Sequence, residues 1–146
     1  MYTAPLHTGS FSATCSVLPA YENDVELEKF ALIAEKYAHD IAAINTLAAT
    51  IVDKNGKQAL PGSPVRLKGG VCGHGIKWAG ISMVNRLKKI RKTHNLSYKI
   101  TGVGGVTVPQ DYFDYKSAGA DVVMSATGAM WNPYLAQEVK KLASTA

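Results

Sequence analysis

The chain has 146 residues, 47 % of them hydrophobic and 18 % charged, with a net charge of +5. That length fits one domain, residues 1–146, able to bury roughly two-thirds of its unfolded surface. The composition excludes a disordered chain, and no apolar run reaches the roughly 20 residues that cross a bilayer. Residues 1–16 lack a basic start followed by an apolar block, so no secretory leader is expected. Cys15 and Cys72 match no metal spacing and build no disulfide framework, which points to a reducing, cytoplasmic setting.

Short apolar runs alternate with helical periodicity. Thr14–Leu18 reads as a strand stopped by Pro19. Asn23 or Asp24 caps a helix over Val25–His39, whose Leu27, Phe30, Ala31, Ala34 and Ala38 fall on one stripe. Ile41–Ile44 lacks polar alternation, as a strand covered on both faces does. Thr46–Gly75, rich in glycine and proline, reads as a long irregular stretch, a length that in compact domains is usually functional. A helix over Ile76–Thr93 follows, with Ile76, Ala79, Met83, Leu87 and Ile90 inward. Much of the positive charge sits at Arg86–Lys92, where Leu87 and Ile90 interrupt it at helical spacing. The segment therefore reads as a solvated basic face rather than a nucleic-acid surface. Ser97–Thr101 is the next strand, Pro109 suits the first position of a helix, and Tyr112, Tyr115 and Ala118 line that helix's buried side. Asp121–Ser125 is the last strand, and a final helix begins near Pro133 with Leu135, Val139 and Leu142 inward. The order is βα four times over, an α/β fold with a parallel sheet and right-handed crossovers.

Four segments follow strands at the rim where such sheets hold ligands. Gly102-Val103-Gly104-Gly105 brings backbone N–H groups close to a ligand, a surface suited to phosphate; a tight strand-to-helix turn needs the same residues. Ser125-Ala126-Thr127-Gly128 adds small residues and a hydroxyl on the next strand, so the two turns should be neighbours. Asn45, after Ile44, offers a donor and an acceptor to a planar amide or ring edge, or simply caps the strand end. Gly69-Gly70-Val71-Cys72-Gly73 resembles a second backbone-lined surface. Cys72 has no base at a diagnostic spacing and reads as a small buried filler, and His74 has no companion ligands for a metal.

Taken in order, Ala43-Ile44-Asn45-Thr46, Gly69-Gly70-Val71-Cys72-Gly73 with Ile76-Lys77, Thr101-Gly102-Val103-Gly104-Gly105-Val106, Gly119-Ala120-Asp121-Val122-Val123 and Ala126-Thr127 resemble the FMN-binding half of dihydroorotate dehydrogenases. The flavin domain of dihydropyrimidine dehydrogenase is a weaker match. The resemblance runs from about Cys15 to Leu142 and implies parallel (β/α) units forming about half of a TIM (β/α)8 barrel. It implies FMN as cofactor, with Gly69 and Gly70 along the ribityl and phosphate, and Gly104, Gly105, Ala126 and Thr127 around the phosphate. It also implies Asn45 at both flavin and substrate, and Thr46 at the substrate.

The implied activity is oxidation of dihydroorotate to orotate in pyrimidine biosynthesis. Ala126-Thr127 stands where the family usually has Gly-Thr, and Val17 stands where it usually has a lysine near the flavin ring. The family's cysteine or serine base lies upstream of this half, so the chain alone is not expected to turn over. A half-barrel exposes two sheet edges, which implies self-association or a complementary N-terminal half chain. A non-catalytic flavin- or phosphate-binding module, or a remnant serving as a structural partner, are the other readings of the same residues. Neither nucleic acid nor membrane is an expected partner.

Overall fold

The structure, a computed structural model, describes residues 12–14, 23–62 and 67–145. Four strands form one parallel sheet in the order β1 (Ser12–Thr14), β2 (Asp40–Ala43), β5 (Lys99–Gly102), β6 (Val122–Val123). Their spatial order follows the chain, as successive βα units in a barrel wall require. The expected strand at Thr14–Leu18 falls largely outside the described residues, as do Cys15 and Val17.

Helix α1 (Asp24–Tyr37) begins where Asn23 Oδ1 accepts the N–H groups of Val25 and Glu26 at 3.0 and 3.3 Å. Its inward face buries Leu27, Ala31 and Ala34, with Phe30 partly covered. Helix α2 (Lys77–Thr93) follows a single 3-10 turn at His74–Ile76 and buries Ala79, Met83, Val84, Leu87 and Ile90. The two helices pack on Ile41 and Ala43 of β2 and Ile100 of β5, which are fully buried. Each such Leu, Ile or Met contributes roughly 1.5–3 kcal/mol by leaving water. Lys88, Lys89 and Lys92 face outward, while Arg86 and Arg91 pair with Asp24 and Asp121. At the foot of the sheet, Glu35 accepts the Ser97 hydroxyl at 2.6 Å and the N–H groups of Ser97 and Tyr98. This ties the end of α1 to the entry of β5.

The stretch expected to be irregular contains a two-stranded antiparallel ribbon, β3 (Leu47–Thr50) and β4 (Lys68–Val71). Ala48 pairs with Gly70 and Ala49 with Gly69. Small residues on both strands hid the ribbon, since alanine and glycine carry little strand propensity. Helix α3 (Pro109–Ala118) starts on Pro109, as expected, and buries Tyr115. A short helix α4 (Thr127–Trp131), absent from the sequence reading, precedes α5 (Leu135–Thr145). Leu135 is buried, but Leu142 is exposed, because nothing among the described residues packs on that face of α5's last turns. Among the described residues, no helix is long and apolar enough to cross a membrane.

Candidate functional site

The turns after β5 and β6 meet at the C-terminal rim of the sheet. Asn45, Cys72, Gly73, Gly104, Gly105, Thr107, Ser125, Ala126 and Thr127 line one open hollow there, with Val103, Val106 and Met124. The convergence has a packing cause. Ser125 Oγ donates to the carbonyl of Val106 at 2.7 Å. A Cβ on Gly128 would overlap that same carbonyl, so only glycine lets the second turn settle on the first.

Gly104 and Gly105 have φ of 101° and 72°, a region side chains rarely adopt. A Cβ on Gly104 would overlap the Ile44 carbonyl oxygen; one on Gly105 would lie 2.6 Å from the backbone N and Cα of Lys77. The turn therefore lies flush against Ile44, the residue after β2, on one side and the first residue of α2 on the other. Tyr115 supports it from beneath, its hydroxyl donating to the carbonyls of Gly104 at 2.5 Å and Val103 at 3.1 Å. The tyrosine fits because Gly80 and Gly102 leave room for its ring and hydroxyl. Burial pushes its pKa up, so it stays a neutral donor. The N–H groups of Gly104, Gly105 and Val106 donate to none of the described residues.

Beside this turn lies a charged cluster that the sequence reading missed. Asp111, 1 % exposed, accepts the N–H groups of Thr107 and Val108 at 2.7 and 2.9 Å through Oδ2. Its Oδ1 stands 2.6 Å from Lys77 Nζ, which also donates to Asp114 at 2.5 Å. Burial alone would raise the Asp111 pKa. The Lys77 ammonium and the two N–H groups overcome that and hold the carboxyl below its usual range. Lys77 is likewise pulled down by burial but raised overall by its two carboxylates. His74 Nδ1 lies 3.2 Å from Thr107 Oγ1. One local signal was available in the sequence: an acidic residue at the third helical position, after Pro109 at the first, suits capping of the N-terminus.

The predicted residues divide into two groups. Asn45, Gly104, Gly105, Ala126 and Thr127 share the hollow. The Asn45 Oδ1 atom is buried and accepts no hydrogen bond from the described residues, an arrangement that costs stability unless a ligand donor completes it. Gly69 and Gly70 sit in β4, paired across to β3, and do not line the hollow. Thr46 abuts Gly70, where an added Cβ would come within 3.1 Å. Cys72, expected as a buried filler, is exposed, with Thr127 Oγ1 at 3.7 Å from its sulfur. The tight α2–β5–α3 packing fills without it, so the thiol is left on the rim. No group of three or more His, Cys, Asp or Glu among the described residues could hold a metal ion.

Comparison with known proteins supplies the context. The family model for dihydroorotate dehydrogenase matches residues 17–144. The dihydroorotate dehydrogenase of Dictyostelium discoideum is 42 % identical over 99 residues, which are 67 % of this chain and 26 % of that protein. The catalytic subunit of dihydroorotate dehydrogenase B (NAD(+)) from Staphylococcus carnosus is 34 % identical over 122 residues, 83 % of this chain and 36 % of the relative. The chain thus spans about a quarter to a third of these relatives' length. The crystal structure of DHODH from Eimeria tenella in complex with ferulenol superposes with a TM-score of 0.60 at 22 % identity, over 82 % of this chain and 30 % of that one. That likeness identifies the parallel βα units as part of a TIM-barrel fold. With the family model matching almost from end to end, and the two rim turns meeting as such a barrel needs, the chain belongs to the dihydroorotate dehydrogenase family.

Proposed function

We propose that this chain forms the FMN-phosphate side of an oxidoreductase that converts dihydroorotate to orotate. The observation that carries the reading is the shared hollow at the rim. One glycine turn with free N–H groups and Thr127 of the next turn line it together, tied by Ser125 to Val106. Backbone amides and a hydroxyl are the donor set a phosphate monoester needs. The residues fit the cofactor in a second respect. The unpartnered Asn45 Oδ1 calls for a ligand N–H at the same hollow, which a phosphate lacks and a flavin ring or a dihydropyrimidine carries.

In this reading Gly104, Gly105, Ala126 and Thr127 hold the phosphate, and Asn45, with Thr46 beside it, orients the ring edge and the substrate. Gly69 and Gly70 stand off the hollow along β4, so any contact they make is with the part of the cofactor beyond the phosphate. FMN bound here would supply the two-electron acceptor for the dihydropyrimidine. The protein's own contribution is to place that acceptor, neutralise the phosphate by amide dipoles and fix the substrate amide through Asn45.

Association belongs to the same reading. Strand β6 has a neighbour only on its β5 side among the described residues, and Val122, Met124, Met130, Trp131 and Tyr134 near it are exposed. Pairing with a second copy or with a complementary half chain would cover that edge.

The test is flavin titration. Wild-type protein should bind FMN more tightly than riboflavin, which has the ring but no phosphate. Thr127→Glu, at a half-buried position on the hollow, sets a carboxylate against the phosphate and should lower FMN affinity more than tenfold while sparing riboflavin. Equal affinities for the two flavins in the wild type would sink the phosphate site. Bleaching of bound flavin by dihydroorotate separates an oxidoreductase from a module that only binds.

A further inference from the structure

We propose that Asp111 is a positioning residue for the phosphate turn: its buried carboxylate, balanced by Lys77, sets the backbone of Gly104–Thr107 for a phosphate monoester. The inference rests on the phosphate reading above and adds the group that shapes that site.

Capping a helix explains only part of what Asp111 does. A cap at the third helical position needs one acceptor reaching back to Val108, and an exposed side chain suffices. Here the carboxylate is buried, and burying an ion pair costs desolvation that capping does not require. Its shorter N–H contact, 2.7 Å, goes to Thr107, which precedes the helix and lines the hollow. The same oxygen lies 3.2 Å from the Thr107 hydroxyl. Thr107 N–H is thereby turned away from any ligand, and Gly104, Gly105 and Val106 keep the turn's free donors.

Lys77 completes the clamp. Its backbone backs Gly105 and its ammonium holds Asp111, so one residue fixes the turn from two directions. With Asp111 at 2.6 Å and Asp114 at 2.5 Å, that ammonium is committed to carboxylates. The anion is then held by neutral dipoles, not by this lysine.

Asp111→Asn separates the two roles by sign. Its amide has one oxygen, which can face either Lys77 or the turn's N–H groups, leaving like donors opposed on the other side. If Asp111 positions the turn, the preference for FMN over riboflavin falls at least tenfold while riboflavin affinity stays within twofold. If Lys77 were instead the phosphate's ligand, freeing it would tighten FMN. The experiment titrates the full chain with each flavin by fluorescence quenching, with near-ultraviolet circular dichroism reporting the fold. A preference unchanged or increased in Asp111→Asn overturns the proposal. Should that variant fail to fold, Asp111→Glu keeps the charge and displaces the carboxylate by one methylene. It should lower the preference at least threefold, and an undiminished preference overturns the proposal there too. A wild type that does not prefer FMN sinks the phosphate site itself, and this inference with it.

Discussion

The hydroxyl of Ser125 donates to the carbonyl of Val106 across 2.7 Å, joining two turns that are 19 residues apart in the chain. That bond helps hold the β6 turn over the β5 turn, beside the Met124 N–H to Gly102 carbonyl bond and the Gly128 packing, so its loss should be felt in both stability and ligand binding. Ser125→Ala removes the donor from a buried carbonyl and should cost roughly 1 kcal/mol. On a domain of this size that lowers Tm by about 2–5 °C. Differential scanning calorimetry checks it; an unchanged Tm would show that the turns are held by packing alone.

Two glycines with similar backbone angles should respond very differently to alanine. Gly56 has φ of 75° with open space around it, and Gly104 has φ of 101° with the Ile44 carbonyl in the way of a Cβ. Gly56→Ala should cost about 1 kcal/mol, the strain of the left-handed region. Gly104→Ala adds a steric overlap with backbone that cannot swing aside, and should cost more than 3 kcal/mol. Urea denaturation of the pair measures the gap, and equal costs would contradict the close approach of Ile44 and the turn.

Tyr115 and Gly80 should be coupled. Tyr115→Phe leaves the Gly104 carbonyl without its hydroxyl partner and should lose roughly 1–2 kcal/mol. Gly80→Ala puts a methyl on the tyrosine oxygen and is expected to be severe. Once that oxygen is gone part of the clash goes with it, so the double variant should be less unstable than the sum of the singles. A double-mutant cycle showing strict additivity would rule this contact out.

Acid should destabilise the fold through carboxylates held below their usual pKa. At Glu35 the Ser97 hydroxyl leads, aided by the Ser97 N–H. At Asp111 and Asp121 burial opposes ionisation, but hydrogen bonds from Lys77 and Thr107 in one case, and from Ile100 and Arg91 in the other, outweigh it. A depressed pKa means the stabilisation is complete above the unfolded value, near 4, and is lost as pH falls through the lower folded value. Tm should therefore be flat from pH 7 to about 5 and fall steeply below about 4. Lys77 has the opposite sign: its raised pKa keeps its contribution intact up to 10.5 and forfeits it above. Glu35→Gln should lower Tm at pH 7 and shrink the acid-induced drop. An acid limb of unchanged depth in that variant would remove Glu35 from the account.

The helices and the parallel order were legible because their signals are local. Asn23 as a cap, the Leu27–Ala31–Ala34 stripe, and the Ala79–Met83–Leu87–Ile90 stripe are each contained within a few turns of chain. The meeting of the Gly104 and Thr127 turns was legible too, since consecutive parallel strands put their ends side by side. The β3–β4 ribbon was not. Its pairing of Ala48 with Gly70 spans a glycine- and proline-rich excursion, and its residues are weak strand formers. The Lys77–Asp111 pair was also invisible. The residues lie 34 positions apart on different helices, and no periodicity links them. The exposure of Leu142 went the other way: its spacing is right for an inward stripe, but periodicity says nothing of whether a partner surface is there.

The ribbon leaves the rim just after Asn45 and returns at Cys72 and Gly73, so both of its ends belong to the same hollow. Its strands are zipped by Leu47 with Val71 through Thr50 with Lys68, which seals the excursion at its neck. Whatever lies past that neck can lengthen, shorten or drift in composition without altering where the two anchoring ends stand. The overhang above the rim can thus be remodelled while the geometry beneath it stays in place.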